Sequence, residues 1–70
     1  MTGREFIRRL RRLARKRGLR VVLDVAAGKG DHATIYLDGR RTLIPDMAGD
    51  LRPGTFRAMC RNLGINPREL

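Results

Sequence analysis

Seventy residues make one small domain, 1–70, a size that buries only about 60% of the surface its unfolded chain exposes and leaves no room for a second core. Sixteen Lys and Arg against seven Asp and Glu give a net charge of +9, most of it arginine. That excess points to a polyanionic partner, whether nucleic acid, an acidic protein or an anionic membrane surface, and arginine favours planar, bidentate contact with phosphate or carboxylate.

The first helix is signalled by Thr2 with Glu5 three residues later, a capping-box pair, followed by Phe6, Ile7, Leu10, Leu13 and Ala14 at helical spacing. Gly18 ends it. Its other side carries Arg4, Arg8, Arg11, Arg12 and Arg15, with Arg9, Lys16 and Arg17 nearby. Between Arg8 and Arg17 stand seven positive residues and no acid, which repel one another in the free protein and make polyanion contact, with Arg8 and Arg12 as candidate RNA ligands, a real alternative to a merely solvated face. The apolar side is needed for the core of so small a domain, so the helix is not expected to lie on a membrane.

Val21, Val22, Leu23 and Val25 form a first strand, and a second runs from His32 to Leu37. Between them lies a glycine-rich basic turn, Gly28-Lys29-Gly30-Asp31. The rest of a P-loop pattern is missing, so this is not a nucleotide motif. Asp38-Gly39 signals a hairpin, and the third strand, Arg40 to Ile44, stops at Pro45. A two-residue turn at Asp38-Gly39 pairs Leu37 with Arg40, Tyr36 with Arg41, Ile35 with Thr42 and Ala33 with Ile44. Alternation then sends Ala33, Ile35 and Leu37 to the core and His32, Thr34, Tyr36 and Arg41 to one open face.

Pro53 suits the first turn of a last helix whose buried stripe is Phe56, Met59, Cys60 and Leu63, with Gly64 at the stop, Ile65 packing back and Asn66-Pro67 capping a short final turn. The order is α-β-β-β-α. Cys60 is expected in the core; as the sole cysteine it excludes an internal disulfide framework. One His and one Cys cannot make a four-ligand zinc site, and singly scattered carboxylates do not suit Mg²⁺, so no metal and no cofactor are expected. No apolar run has the length of a signal peptide or membrane span, and the expected location is the cytoplasm.

His32, the sole histidine, beside a basic turn in so cationic a chain, suggests RNA chemistry. An imidazole can take a proton from a ribose 2′-OH near neutral pH, letting the oxygen attack the adjacent phosphate without a metal. Lys29, or Arg41 across the hairpin, is suited to offset the charge that develops on the phosphate. Tyr36 is a candidate base-stacking platform. The leaving oxygen needs a proton from Lys29, Tyr36, water or a re-used His32.

Several segments in order resemble the HicA toxin family, the small messenger-RNA-cleaving toxins of HicA/HicB toxin-antitoxin pairs. Gly30-Asp31-His32 resembles the family's turn ending in Gly-Ser-His. The hairpin Ile35 to Pro45, the stretch Gly49-Asp50-Leu51-Arg52-Pro53-Gly54-Thr55 and Leu63-Gly64-Ile65 are similar too, so the resemblance covers nearly the whole chain. Asp31 departs from the family's usual serine; an acid there orients a neighbouring imidazole but repels a phosphate. The resemblance implies an α+β, double-stranded-RNA-binding-like fold, a three-stranded antiparallel sheet with two helices on one face. It also implies His32 as the catalytic residue of an endoribonuclease, mRNA as substrate, and a HicB-type antitoxin protein whose acidic surface covers the His32 face. The rival reading is a noncatalytic RNA-binding module of the same fold, with His32 only a contact residue. A DNA-binding or purely protein-interaction domain is a third, although nothing resembles a helix-turn-helix reading head.

Overall fold

The computed structural model describes residues 1–25 and 32–70. Helix α1 (Gly3–Arg17) is followed by strands β1 (Val21–Val25), β2 (Ala33–Leu37) and β3 (Arg40–Ile44), helix α2 (Pro53–Leu63) and a 3₁₀ turn, Pro67–Glu69. The strands form an antiparallel sheet in the order β1-β2-β3. This is the α+β, α-β-β-β-α layout expected from the sequence. The turn Gly28-Lys29-Gly30-Asp31 lies outside the described residues.

Each helix of the pair is started and stopped by local chemistry. Thr2 caps α1 by accepting the Glu5 N–H at 3.1 Å. The reciprocal half of the expected capping box is not made, because the Glu5 carboxylate turns to the Arg8 and Arg9 guanidiniums instead. Gly18 ends α1 at φ 68°, where a Cβ would cost free energy, and Leu19 N–H bonds back to the Ala14 carbonyl at 2.9 Å. In α2, Pro53 opens the first turn and Gly64 closes the last. The final turn carries a complete capping box between Asn66 and Glu69.

Asp38 and Gly39 both take positive φ, 51° and 92°, as a tight hairpin turn matching the right-handed strand twist requires. The turn fixes the register: Tyr36 faces Arg41, Ile35 faces Thr42 and Ala33 faces Ile44, as the two-residue loop predicts. On the other side Val22 faces Tyr36 and Leu23 faces Ile35. The second strand begins one residue later than expected, at Ala33, with His32 just outside the ladder.

Alternation makes the sheet two-faced. Ile35, Leu37 and Ile44 point into one core with Phe6, Leu10, Leu13, Met59, Cys60 and Leu63, so both helices cover the same face. Phe56, half-buried rather than fully buried, rests its ring edge-on against Phe6 with centroids 6.0 Å apart. Thr42 is the buried polar member of the inner face, and Asn62 of α2 donates to its hydroxyl at 3.1 Å. Cys60 is fully enclosed, and burial pushes its thiol pKa up, as suits a packing residue rather than a nucleophile.

The segment after β3 clamps the start of α1. Asp46 accepts the Ala48 and Gly49 N–H groups, which hold its carboxyl below the usual carboxylate range. The folded turn presents the Met47 carbonyl to the Arg4 N–H at 3.0 Å, and the Leu51 N–H reaches the Met1 carbonyl at 2.8 Å. Gly3 is needed at this crossing, since a Cβ there would lie 2.4 Å from the Asp46 backbone oxygen.

Candidate functional site

The face of the sheet away from the helices carries the even-numbered residues of β2. Thr34 and Tyr36 are half-buried on it, with Arg41 exposed opposite Tyr36 and Leu43 exposed opposite Thr34. A shallow groove of about 280 Å³ is lined by these four residues and, from the helix side of β3, by Thr42 and Asn62. An aromatic ring beside a guanidinium is chemically suited to a nucleotide, the ring to stack on a base and the guanidinium to pair with a phosphate. Val22, opposite Tyr36, and Leu43 are 44% and 56% exposed, giving this face an apolar component as well.

His32 stands one residue before β2 and is half-buried. It has the same parity as Thr34 and Tyr36, so continuing the strand alternation puts it on the same face. Tyr36, with its partner Arg41, stands four residues further on, about 13 Å along the backbone at the rise of an extended chain. The Tyr36–Arg41 pair thus lies further along the sheet than His32. Lys29, the other residue suited by the sequence to offset charge on a phosphate, lies outside the described residues.

Arg8 and Arg12 are exposed on α1, on the helix side of the sheet, so the fold does not bring them together with Tyr36 and Arg41. Arg8 is also occupied: it forms a two-pronged ion pair with Glu5, which Arg9 joins at 2.9 Å. The Arg8 and then the Arg9 hydrogen bonds lower the Glu5 pKa to about 2. Arg12 borders a separate pocket with Arg9, Lys16, Glu69 and Leu70. The expected mutual repulsion along α1 is thus relieved at Arg8 and Arg9 by Glu5 and at Arg17 by an ion pair with Glu69.

Comparison of the chain with protein-family models, curated proteins and solved structures finds no match. A second cationic surface, not anticipated as a unit from the sequence, lies on the other side of the molecule. Arg4, Arg8, Arg11 and Arg15 line a groove of about 330 Å³ with Ile7, Leu23 and Met47 at its base. Their spacing of four, three and four residues marks one helical stripe and was the available signal; that the stripe borders β1 becomes visible only in the folded chain. Among the described residues no group of His, Cys, Asp and Glu is arranged to hold a metal ion, and no helix is long and apolar enough to cross a membrane.

Proposed function

We propose that this protein is a HicA-like endoribonuclease toxin that cleaves messenger RNA at a site built around His32 and is held inactive by a HicB-type antitoxin. What supports the reading is the Tyr36–Arg41 pair on the uncovered sheet face, with His32 one residue before β2 and in step with Thr34 and Tyr36 by strand alternation, in a chain of net charge +9. The segment-by-segment resemblance adds the substrate class and the partner.

In this reading single-stranded RNA lies along β2. Tyr36 stacks on a base and Arg41 holds a flanking phosphate, fixing the strand so that one ribose sits beside His32. The imidazole takes the 2′-OH proton, the 2′-oxygen bonds to phosphorus, and the bond from phosphorus to the 5′-oxygen breaks. The products are a 2′,3′-cyclic phosphate and a 5′-hydroxyl. The departing 5′-oxygen takes its proton from Lys29, from Tyr36, from water or from His32 itself. With one histidine doing work that two share in faster ribonucleases, turnover is slow. The antitoxin neutralises the toxin by placing acidic groups over the His32 face.

A second reading, a noncatalytic RNA-binding module, is favoured by the lack of a second histidine in the sequence to protonate the leaving group. Cleavage of labelled single-stranded RNA in EDTA by the wild type and His32→Ala separates the two. The ribonuclease reading expects cutting by the wild type, a loss of about 10²-fold or more in the variant, and RNA affinity retained by both. Binding without cutting by the wild type supports the module.

A further inference from the structure

The sheet has two edge strands, β1 and β3, with α1 packed behind the first and α2 behind the second. Among the described residues nothing pairs with the outer edge of β1, whose other edge is taken by β2. Natural edge strands are blunted by charged side chains, proline, bulges or a covering element, because an open row of backbone donors and acceptors invites another strand. In β1, Val21-Val22-Leu23-Asp24-Val25, four of the five residues are aliphatic strand formers and there is no proline; the one charge, Asp24, faces Thr34 and so belongs to the open sheet face, away from the helix side, while Val22 and Val25 are 44% and 54% exposed.

Beside that edge runs the arginine groove. Near Leu23 it is flanked by Arg4, Arg8, Arg11 and Arg15; a continuation of about 240 Å³ shares Arg11 and Arg15 and reaches Leu19 and Val21. The stripe from Arg4 to Arg15 is about 16 Å long at helical rise, and five strand residues span about the same length. Helix cations and strand edge therefore run side by side over matching distances. Among the described residues no carboxylate pairs with Arg4, Arg11 or Arg15.

We propose that the groove between α1 and β1 receives an acidic strand of a protein partner, which extends the sheet at β1, packs apolar side chains on Ile7 and Leu23 and sets carboxylates against Arg4, Arg11 and Arg15. Strand addition explains features that phosphate binding leaves unused, the apolar base and the open backbone edge. A second copy of this chain is disfavoured as occupant, because pairing two β1 edges would bring two arginine stripes and two charges of +9 together. The inference goes beyond RNA cleavage and does not depend on it.

The test uses the full chain and a nine-residue peptide in which every second residue is alternately valine and glutamate, with threonine between, so that one strand face carries both apolar and acidic side chains. Its controls are the same peptide N-methylated at every second amide, in both registers, and an RNA oligonucleotide of matched charge. The expected results are binding of the unmethylated peptide with new exchange protection at β1 amides, at least tenfold weaker binding when the register facing β1 is methylated, and at least tenfold weaker binding to Arg11→Glu/Arg15→Glu. These arginines are exposed, so that variant is expected to keep the wild-type circular dichroism spectrum, and the methylated peptides test the same claim on the unaltered protein. Equal binding of both methylated peptides, or no peptide binding, overturns the proposal. If in addition the RNA loses affinity with the double variant and protects no β1 amide, the groove is a nucleic-acid track. A failure of the ribonuclease reading leaves these results unaffected, since no cleavage is measured.

Discussion

Replacing Gly3 by alanine sets two physical effects against each other with opposite signs. By helix propensity alone the change stabilises the protein, by up to about 1 kcal/mol. The packing argues otherwise. A Cβ at Gly3 would lie 2.4 Å from the Asp46 backbone oxygen, 2.8 Å from Ile44 Cγ2 and 2.9 Å from the Met47 Cα. Two of the three obstacles are backbone, so no rotamer change relieves them, and the turn after β3 has to withdraw by about 1 Å to reach ordinary contact distances. Withdrawal strains the 3.0 Å bond from Arg4 N–H to the Met47 carbonyl, worth about 1 kcal/mol. Overpacking of this kind costs about 1–3 kcal/mol. The net expectation for Gly3→Ala is a loss of about 1–3 kcal/mol, or a Tm lower by roughly 5–20 °C in a domain of this size. Thermal and urea unfolding followed by circular dichroism measure it. A variant as stable as wild type, or more so, refutes the clamp of the 45–50 segment on α1.

Tyr36→Ala is expected to weaken binding of single-stranded RNA by about 1–3 kcal/mol, roughly 5–150-fold, while leaving the salt dependence unchanged. Arg41→Ala weakens binding and also lowers the slope of log K against log salt by about one phosphate contact, as fluorescence anisotropy across a salt series would read. The Glu5 pKa, lowered to about 2 by Arg8 and Arg9, makes the ion pairs on α1 a source of stability that is fully present above the unfolded carboxylate pKa and lost as pH falls toward 2. Glu5→Gln should therefore flatten the decline in Tm between about pH 4.5 and pH 2, and an unchanged decline would show that the pairs contribute nothing.

The parts legible in the sequence were those set by short-range rules. Asp38-Gly39 dictates a two-residue turn, the turn dictates register, and register places Tyr36 opposite Arg41. The apolar spacing of Phe6, Ile7, Leu10, Leu13 and Ala14 likewise gave the buried side of α1. What escaped depends on competition or on tertiary neighbours. Thr2 and Glu5 spell a capping box, but two guanidiniums outbid a backbone N–H for the Glu5 carboxylate. Arg8 and Arg12 stand out as charges in the sequence, yet only the packing of α1 on the sheet shows that they face away from Tyr36 and that Arg4, Arg11 and Arg15 line a groove beside β1. The distance between His32 and the Tyr36–Arg41 pair follows from strand geometry.

The most direct measurement of the central claim is single-turnover cleavage, in EDTA, of a labelled RNA and of the same RNA methylated at every 2′-oxygen, with the product ends identified. The unmodified strand is expected to be cut by the wild type to a 2′,3′-cyclic phosphate and a 5′-hydroxyl, the methylated strand to bind uncut, and His32→Ala to cut neither. Cleavage of the methylated strand, or of the unmodified strand by His32→Ala at the wild-type rate, would contradict attack by a 2′-oxygen that His32 deprotonates.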